Sequence, residues 1–280
     1  MLRAGEWEAE LRPEIGGSLA ALRWRGIDVL RAMPEGSTEP LEASCFPLVP
    51  YANRIRDGRF GWQGRDVRLR ANFPPEPHSL HGLGWQAPWD IVSQAGFKVA
   101  MLHSYAGNGG WPWAYDAEQR IRLGDQGCAI TLDLTNRADT PMPCGVGLHP
   151  YFRRRPETRV TFEAGGMLEL DAGLIPTGEI AGPARFADWH GGTALPPRTV
   201  DHCFCRWDGA AQIEDGLVTI RMTARGASFV HVYAPADGSA LCLEPVSHAP
   251  DAVNRAPEEM TLLPPGCTAS LTMRISAGPA

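Results

Sequence analysis

Five short segments of this 280-residue chain place a charged side chain or an imidazole beside apolar strand residues or Gly/Pro turns. They are YANRIRDGRF at 51–60, HSLHGLGWQAPW at 78–89, GLHPYF at 147–152, VDHCF at 200–204 and LCLEPVSHAPDAVN at 241–254. A carboxylate with an ordinary pKa of about 4.3 accepts protons at neutral pH, and an imidazole near about 6.5 can hold or release one. Together these side chains serve general acid–base chemistry without a metal. Glu244 follows Leu241 and Leu243 in an apolar run, where a carboxylate is costly unless it is paired or faces a cavity. The paired alternative is a structural ion pair with Arg54. His149 closes the apolar part of VGLHPYF, and reads either as a proton carrier or as a rim residue where a strand stops. His81 and Asp201 have turn-residue alternatives of the same kind.

Side chains so far apart in the chain meet only if the elements carrying them share a surface. Period-two alternation recurs throughout, while apolar repeats at helical spacing are scarce, so the chain reads as all-β. Gln63-Gly64 in GRFGWQGRDVRLR marks one hairpin turn, and GDQG between two alternating runs in IRLGDQGCAITLDL marks another. The 25 prolines and 31 glycines gather into short loops rather than into a linker, and no repeat of 20–50 residues is present. The expectation is one domain over 1–280, built as a large antiparallel β-sandwich. If one of its sheets curves, the concave face becomes a groove into which the five segments project.

Composition narrows the partners. A net charge of −6, a pI near 5.8 and a single lysine, Lys98, leave no basic surface for nucleic acid and almost no candidate for Schiff-base chemistry. No apolar run is long enough for a signal peptide or a membrane span, which gives the expectation of a cytoplasmic protein with no membrane partner. The seven cysteines form no C-x-x-C pair and are expected as free thiols. Those of CFC at 203–205 are read as pointing to opposite sides of their strand.

In chain order the sequence carries Asn-Arg-Ile with a following Gly-x-Phe (53–60), Leu-His-Gly with a downstream Trp (80–85) and the Gly-x-x-Gly-x-Pro loop of GNGGWPW (107–113). His-Pro-Tyr-Phe (149–152), Asp-x-x-Phe (201–204) and a late Glu-Pro (244–245) complete the series. In this order the chain resembles the aldose 1-epimerase (galactose mutarotase) family over nearly its whole length. The resemblance implies a β-supersandwich and an isomerase of carbohydrate metabolism that interconverts the α and β anomers of a free monosaccharide. It makes Glu244 the general base and His149 the general acid, and it gives Arg54, His81 and Asp201, with Asn53 beside them, to the sugar hydroxyls. No cofactor and no metal are implied, and the chain is expected as a monomer or homodimer.

Two positions depart from the family's usual pattern. Leu83 stands where a second glycine often follows His-Gly, and His231, counted among the sugar-binding residues, stands where a glutamine is common. Trp85, Trp111 and Trp113 are read either as core or as apolar faces for sugar C–H groups. Arg153–Arg155 are read as a solvated run rather than a phosphate clamp. The rival readings are a hexose-6-phosphate 1-epimerase and a sugar-binding sensor without turnover; a glycoside hydrolase would need two suitably spaced carboxylates.

Overall fold

Alternating residues become strands, and the strands assemble into two large antiparallel sheets in a computed structural model that describes residues 1–280. The first sheet has eleven strands. At its centre Gly147–Phe152 pairs with Leu241–Val246, then follow Phe229–Ala234 and Val200–Cys205, while the short strand Cys45–Leu48 pairs with the other edge of Gly147–Phe152. The second sheet has nine strands, with the hairpin Tyr115–Gly124/Gly127–Asn136 and the C-terminal strand Thr268–Pro279 at its middle. Both turns expected from the sequence are present. Gln63 and Gly64 have positive φ between Arg59–Trp62 and Arg65–Arg68, as a two-residue hairpin requires.

The first sheet sorts its side chains by the two-residue period of a strand. Leu148 and Phe152, Leu241 and Leu243, Val230 and Val232 enter a 56-residue apolar cluster that also takes Ile121, Ile130, Leu132 and Leu271 from the second sheet. On the opposite face Phe46, Tyr151, Phe229, Cys242 and Val246 form a smaller cluster of 13 buried residues under the loops that carry Ala52 and Trp85. Cys203 and Cys205 both belong to this smaller cluster while Phe204 faces the core. The expectation that their thiols diverge is thus wrong, because residues two apart in a strand share a face. Six of the seven cysteines are buried and all are free, with Cys267 exposed. The one α-helix covers only Ala252–Arg255, and no helix is long and apolar enough to cross a membrane.

Candidate active site

Register, rather than proximity in sequence, builds the site. Glu244 lies opposite His231 on one neighbouring strand. On the other, the pairs Gly147↔Val246 and Tyr151↔Cys242 put His149 opposite Glu244. His231 is in turn opposite Cys203, and His149 opposite Phe46. Directly opposed residues project to the same face, so Cys203, His231, Glu244, His149 and Phe46 form one row across five strands. Asp201 stands one step along the same face, opposite Tyr233. A one-residue slip of Leu241–Val246 would send Glu244 into the apolar core and Leu243 into the groove.

The remaining polar groups come from two crossing turns. Asn53 and His81 both have positive φ, near 55° and 58°. At Gly82 a Cβ would stand 2.1 Å from the Val49 carbonyl oxygen, so this turn admits only glycine. Asn72 clamps the turn, donating from Nδ2 to the Leu80 and Gly82 carbonyls and accepting from the Leu80 N–H. Three imidazoles hold the crossing loop by accepting backbone N–H groups. His248 Nε2 accepts from Ala52 at 3.1 Å, His81 Nδ1 from Asn53 at 3.1 Å and His78 Nδ1 from Asp57 at 3.0 Å.

All seven residues singled out in the sequence line one cavity of about 450 Å³: Asn53, Arg54, His81, His149, Asp201, His231 and Glu244. His149 Nε2 is 3.2 Å from Glu244 Oε1, with Glu244 2% and His149 5% exposed. His149 is flanked by the rings of Phe46 and Tyr151, each with its centroid 4.6 Å away. Arg54 does not pair with Glu244; its Nε lies 3.1 Å from Glu76 instead, so the structural ion pair weighed for Glu244 does not form. Glu244 Oε2 has no hydrogen-bond partner in the protein.

Burial dominates the protonation of the row. It pushes the Glu244 carboxyl up to about 7, against the pull of His231 and Arg54 and with the help of Asp201. Burial also drives His149 down to about 3, assisted by the nearby charge of His231. The expectation of a readily protonated imidazole at 149 therefore does not describe the free site, where His149 is neutral. His81 is likewise held well below the usual histidine value by burial and by its charged neighbours. Of the three imidazoles lining the cavity, His231 alone is raised: burial opposes its charge, but the 2.6 Å bond from Nε2 to Asp201 Oδ1 and the charge of Glu244 outweigh it.

His81, His149 and Glu244 place ligand atoms within 4.8 Å of one another, a spacing that invites comparison with a metal centre. The His81 tautomer argues otherwise. Its Nδ1 lone pair already accepts the Asn53 N–H, so the proton of the neutral ring sits on Nε2, which is then a donor and not a ligand.

Several lining residues carry no signal that the sequence analysis used. Tyr151 and Tyr233 share the alternation of His149 and His231 and were legible in principle. Arg31 was not: it reaches the cavity from a distant strand end, lies 4.0 Å over the Tyr151 ring and donates through Nη2 to the Leu41 and Ala43 carbonyls. The tryptophans resolve toward core, since Trp85, Trp111 and Trp113 are at most 2% exposed and none lines the cavity. The arginine run is not simply solvated. Arg153 pairs with the fully buried Asp215, Arg154 donates to the Pro235 carbonyl, and Arg154 and Arg155 line a separate cavity.

A fold of two large antiparallel sheets, with a buried Glu–His pair in a polar cavity on one of them, is the setting in which the comparisons are read. Residues 10–276 match the aldose 1-epimerase family, and the chain belongs to that family. It is 35% identical to the uncharacterized protein YphB of Escherichia coli K12 over 268 residues, 90% of each chain. Among solved structures, a provisionally assigned aldose 1-epimerase of Escherichia coli K12 superposes with a TM-score of 0.92 at 29% identity, covering 100% of this chain and 98% of that one. A galactose mutarotase-like protein of Clostridium acetobutylicum superposes at 0.90 with 18% identity, over 99% and 94% of the two chains, a likeness of fold.

Proposed function

We propose that this protein is a cofactor-independent aldose 1-epimerase that interconverts the anomers of a neutral free aldose, with Glu244 and His149 as its proton-transfer pair. The observation that carries this reading is the buried 3.2 Å contact between His149 Nε2 and Glu244 Oε1 within a cavity ringed by hydroxyl-binding groups. Glu244 removes the proton of the C1 hydroxyl, the C1–O5 bond breaks as the C1 carbonyl forms, and His149 gives a proton to O5. After rotation about C1–C2 the ring closes with the two roles reversed. The carboxyl near 7 and the imidazole near 3 act as one unit that shares a proton. Sugar hydroxyls entering the site replace lost solvent and favour the tautomer with the proton on His149.

Arg54, already oriented by Glu76, donates to hydroxyls, and Asp201 accepts from them. Arg54 is balanced by Glu76 and Arg153–Arg155 lie outside the cavity, so Arg31, bonded to the Leu41 and Ala43 carbonyls, is the one lining arginine without a carboxylate partner; a single such cation supports a neutral rather than a phosphorylated sugar. Ring opening changes no oxidation state and needs only proton transfer, so chelators are expected to leave turnover unchanged. The deciding experiment is an anomerisation assay over a panel of free and 6-phosphorylated aldoses, corrected for spontaneous mutarotation. Free aldoses are expected to turn over better. A strong preference for the phosphates would hand the assignment to the phosphate-specific rival, and no acceleration of any sugar would favour a sensor.

A further inference from the structure

His231 stands on the flank of Glu244 opposite His149, placed there by strand register, and directly opposed residues have Cβ atoms about 5 Å apart. It is 3% exposed, and its Nε2 makes the 2.6 Å contact with Asp201, short enough for a charge-assisted bond. Its other nitrogen is held as an acceptor only by a contact at the outer limit of a hydrogen bond: the Asn53 Nδ2 amide, a donor, lies 3.5 Å from Nδ1, while Asn53 Oδ1 accepts the Arg54 N–H at 2.9 Å. An imidazole bound to one buried carboxylate and set across from a second is stabilised as a cation, because two buried anions with a cation between them cost less than two anions alone.

We infer that Asp201 and His231 form a resident carboxylate–imidazolium dyad whose positive end holds Glu244 ionised, so that the mobile proton of the working pair resides on His149 when the sugar arrives. This rests on the acid–base reading of Glu244 given above and extends it, since His231 becomes a positioning residue that acts through Glu244 rather than a sugar ligand. The other charged or titratable groups sharing the cavity with Glu244 are His149, His81, Arg54, Tyr233 and, over the Tyr151 ring, Arg31. On the same sheet face Cys203, Cys242 and Tyr151 stay protonated, because burial raises all three. Besides Asp201 and Glu244, His231 meets Arg54 and the two neutral imidazoles, His81 and His149. The direction of the shift at His231 agrees with the geometry.

The test compares wild type with His231→Gln, which keeps a donor for Asp201 and removes the charge. The acid limb of the kcat/KM–pH profile is expected to move up by about one unit or more, because Glu244 loses a neighbouring cation and keeps a neighbouring anion. At about pH 8.5, above that limb, KM should change by less than about threefold. A variant that had merely lost a sugar contact would show a raised KM at every pH with the limb in place, and that result overturns the proposal. Imidazole nitrogen shifts of the wild-type protein, read by NMR without substrate, decide the matter even if the variant fails to fold. Both ring nitrogens of His231 protonated at about pH 7.5, where an ordinary histidine is neutral, is the expected result; a neutral ring with a bare Nδ1 sinks the dyad. Because that readout needs no turnover, failure of the dyad and failure of the epimerase reading remain distinguishable.

Discussion

The two faces of the strand Leu241–Val246 lie a side chain apart and follow opposite rules. Leu241 and Leu243 enter the apolar cluster between the sheets, whereas Cys242, Glu244 and Val246 face the groove. The first face stabilises by removing apolar area from water; the second keeps a carboxylate and two imidazoles where charge is expensive. The apolar face supplies the rigidity that lets the polar face hold a buried 3.2 Å contact. Function and stability are therefore separated by residue parity rather than by region of the chain.

Breaking the polar face should give the largest effect. Glu244→Gln keeps the volume and cannot take the proton, so kcat is expected to fall by about 10²–10⁴-fold, measured on protein whose circular dichroism is unchanged. Its stability tests the same point from the other side. The folded carboxyl is raised to about 7, so its contribution is present below the unfolded value and is lost as pH rises through about 7. Thermal unfolding should therefore show Glu244→Gln gaining on wild type between weakly acid and neutral pH. His149→Asn should lose activity in the same way as Glu244→Gln, and an unfolded variant with normal activity per folded molecule would return His149 to a strand-ending role.

Breaking the apolar face should do the opposite. Leu243→Ala, at a site with no exposure, is expected to cost about 2–5 kcal/mol in urea unfolding, with KM of the folded fraction little changed. Arg54→Gln sharpens the contrast with an intermediate effect. Losing charge-assisted hydrogen bonds to the sugar should raise KM about tenfold, and an unchanged KM would remove Arg54 from the binding set. The smallest catalytic effect belongs to Arg153→Gln with Arg155→Gln. Both lie outside the cavity, so turnover should shift by less than about threefold, although the lost partner of buried Asp215 should lower the melting temperature.

Alternation made the fold legible, and the turn at Gln63-Gly64 could be read because only a few residue types accept its backbone. Six of the seven site residues lie in the family motifs and His231 departs from the family's pattern, yet all seven line one cavity. What escaped reading was set by long-range geometry. Arg31 meets Tyr151 across 120 positions of the chain, and no local pattern announces such a contact. The protonation of His149 was equally hidden, since it depends on burial between Phe46 and Tyr151 rather than on the carboxylate beside it. Reading CFC as divergent was a plain error of strand period.

The three imidazoles that accept the Ala52, Asn53 and Asp57 N–H groups make the loop carrying Asn53 and Arg54 a tethered flap whose tethers are chemical rather than mechanical. Each tether exists only while its ring keeps a lone pair. Burial holds His248 down to about 4 and His81 well below its ordinary value, so their anchorage is complete above the unfolded histidine value of about 6.5 and is released as pH falls through the folded ones. The strand row has no such backbone tether. In an acid titration, amide exchange at Ala52 and Asn53 should thus accelerate before exchange in Leu241–Val246, and the protein should lose its grip on sugar while its two sheets are still closed.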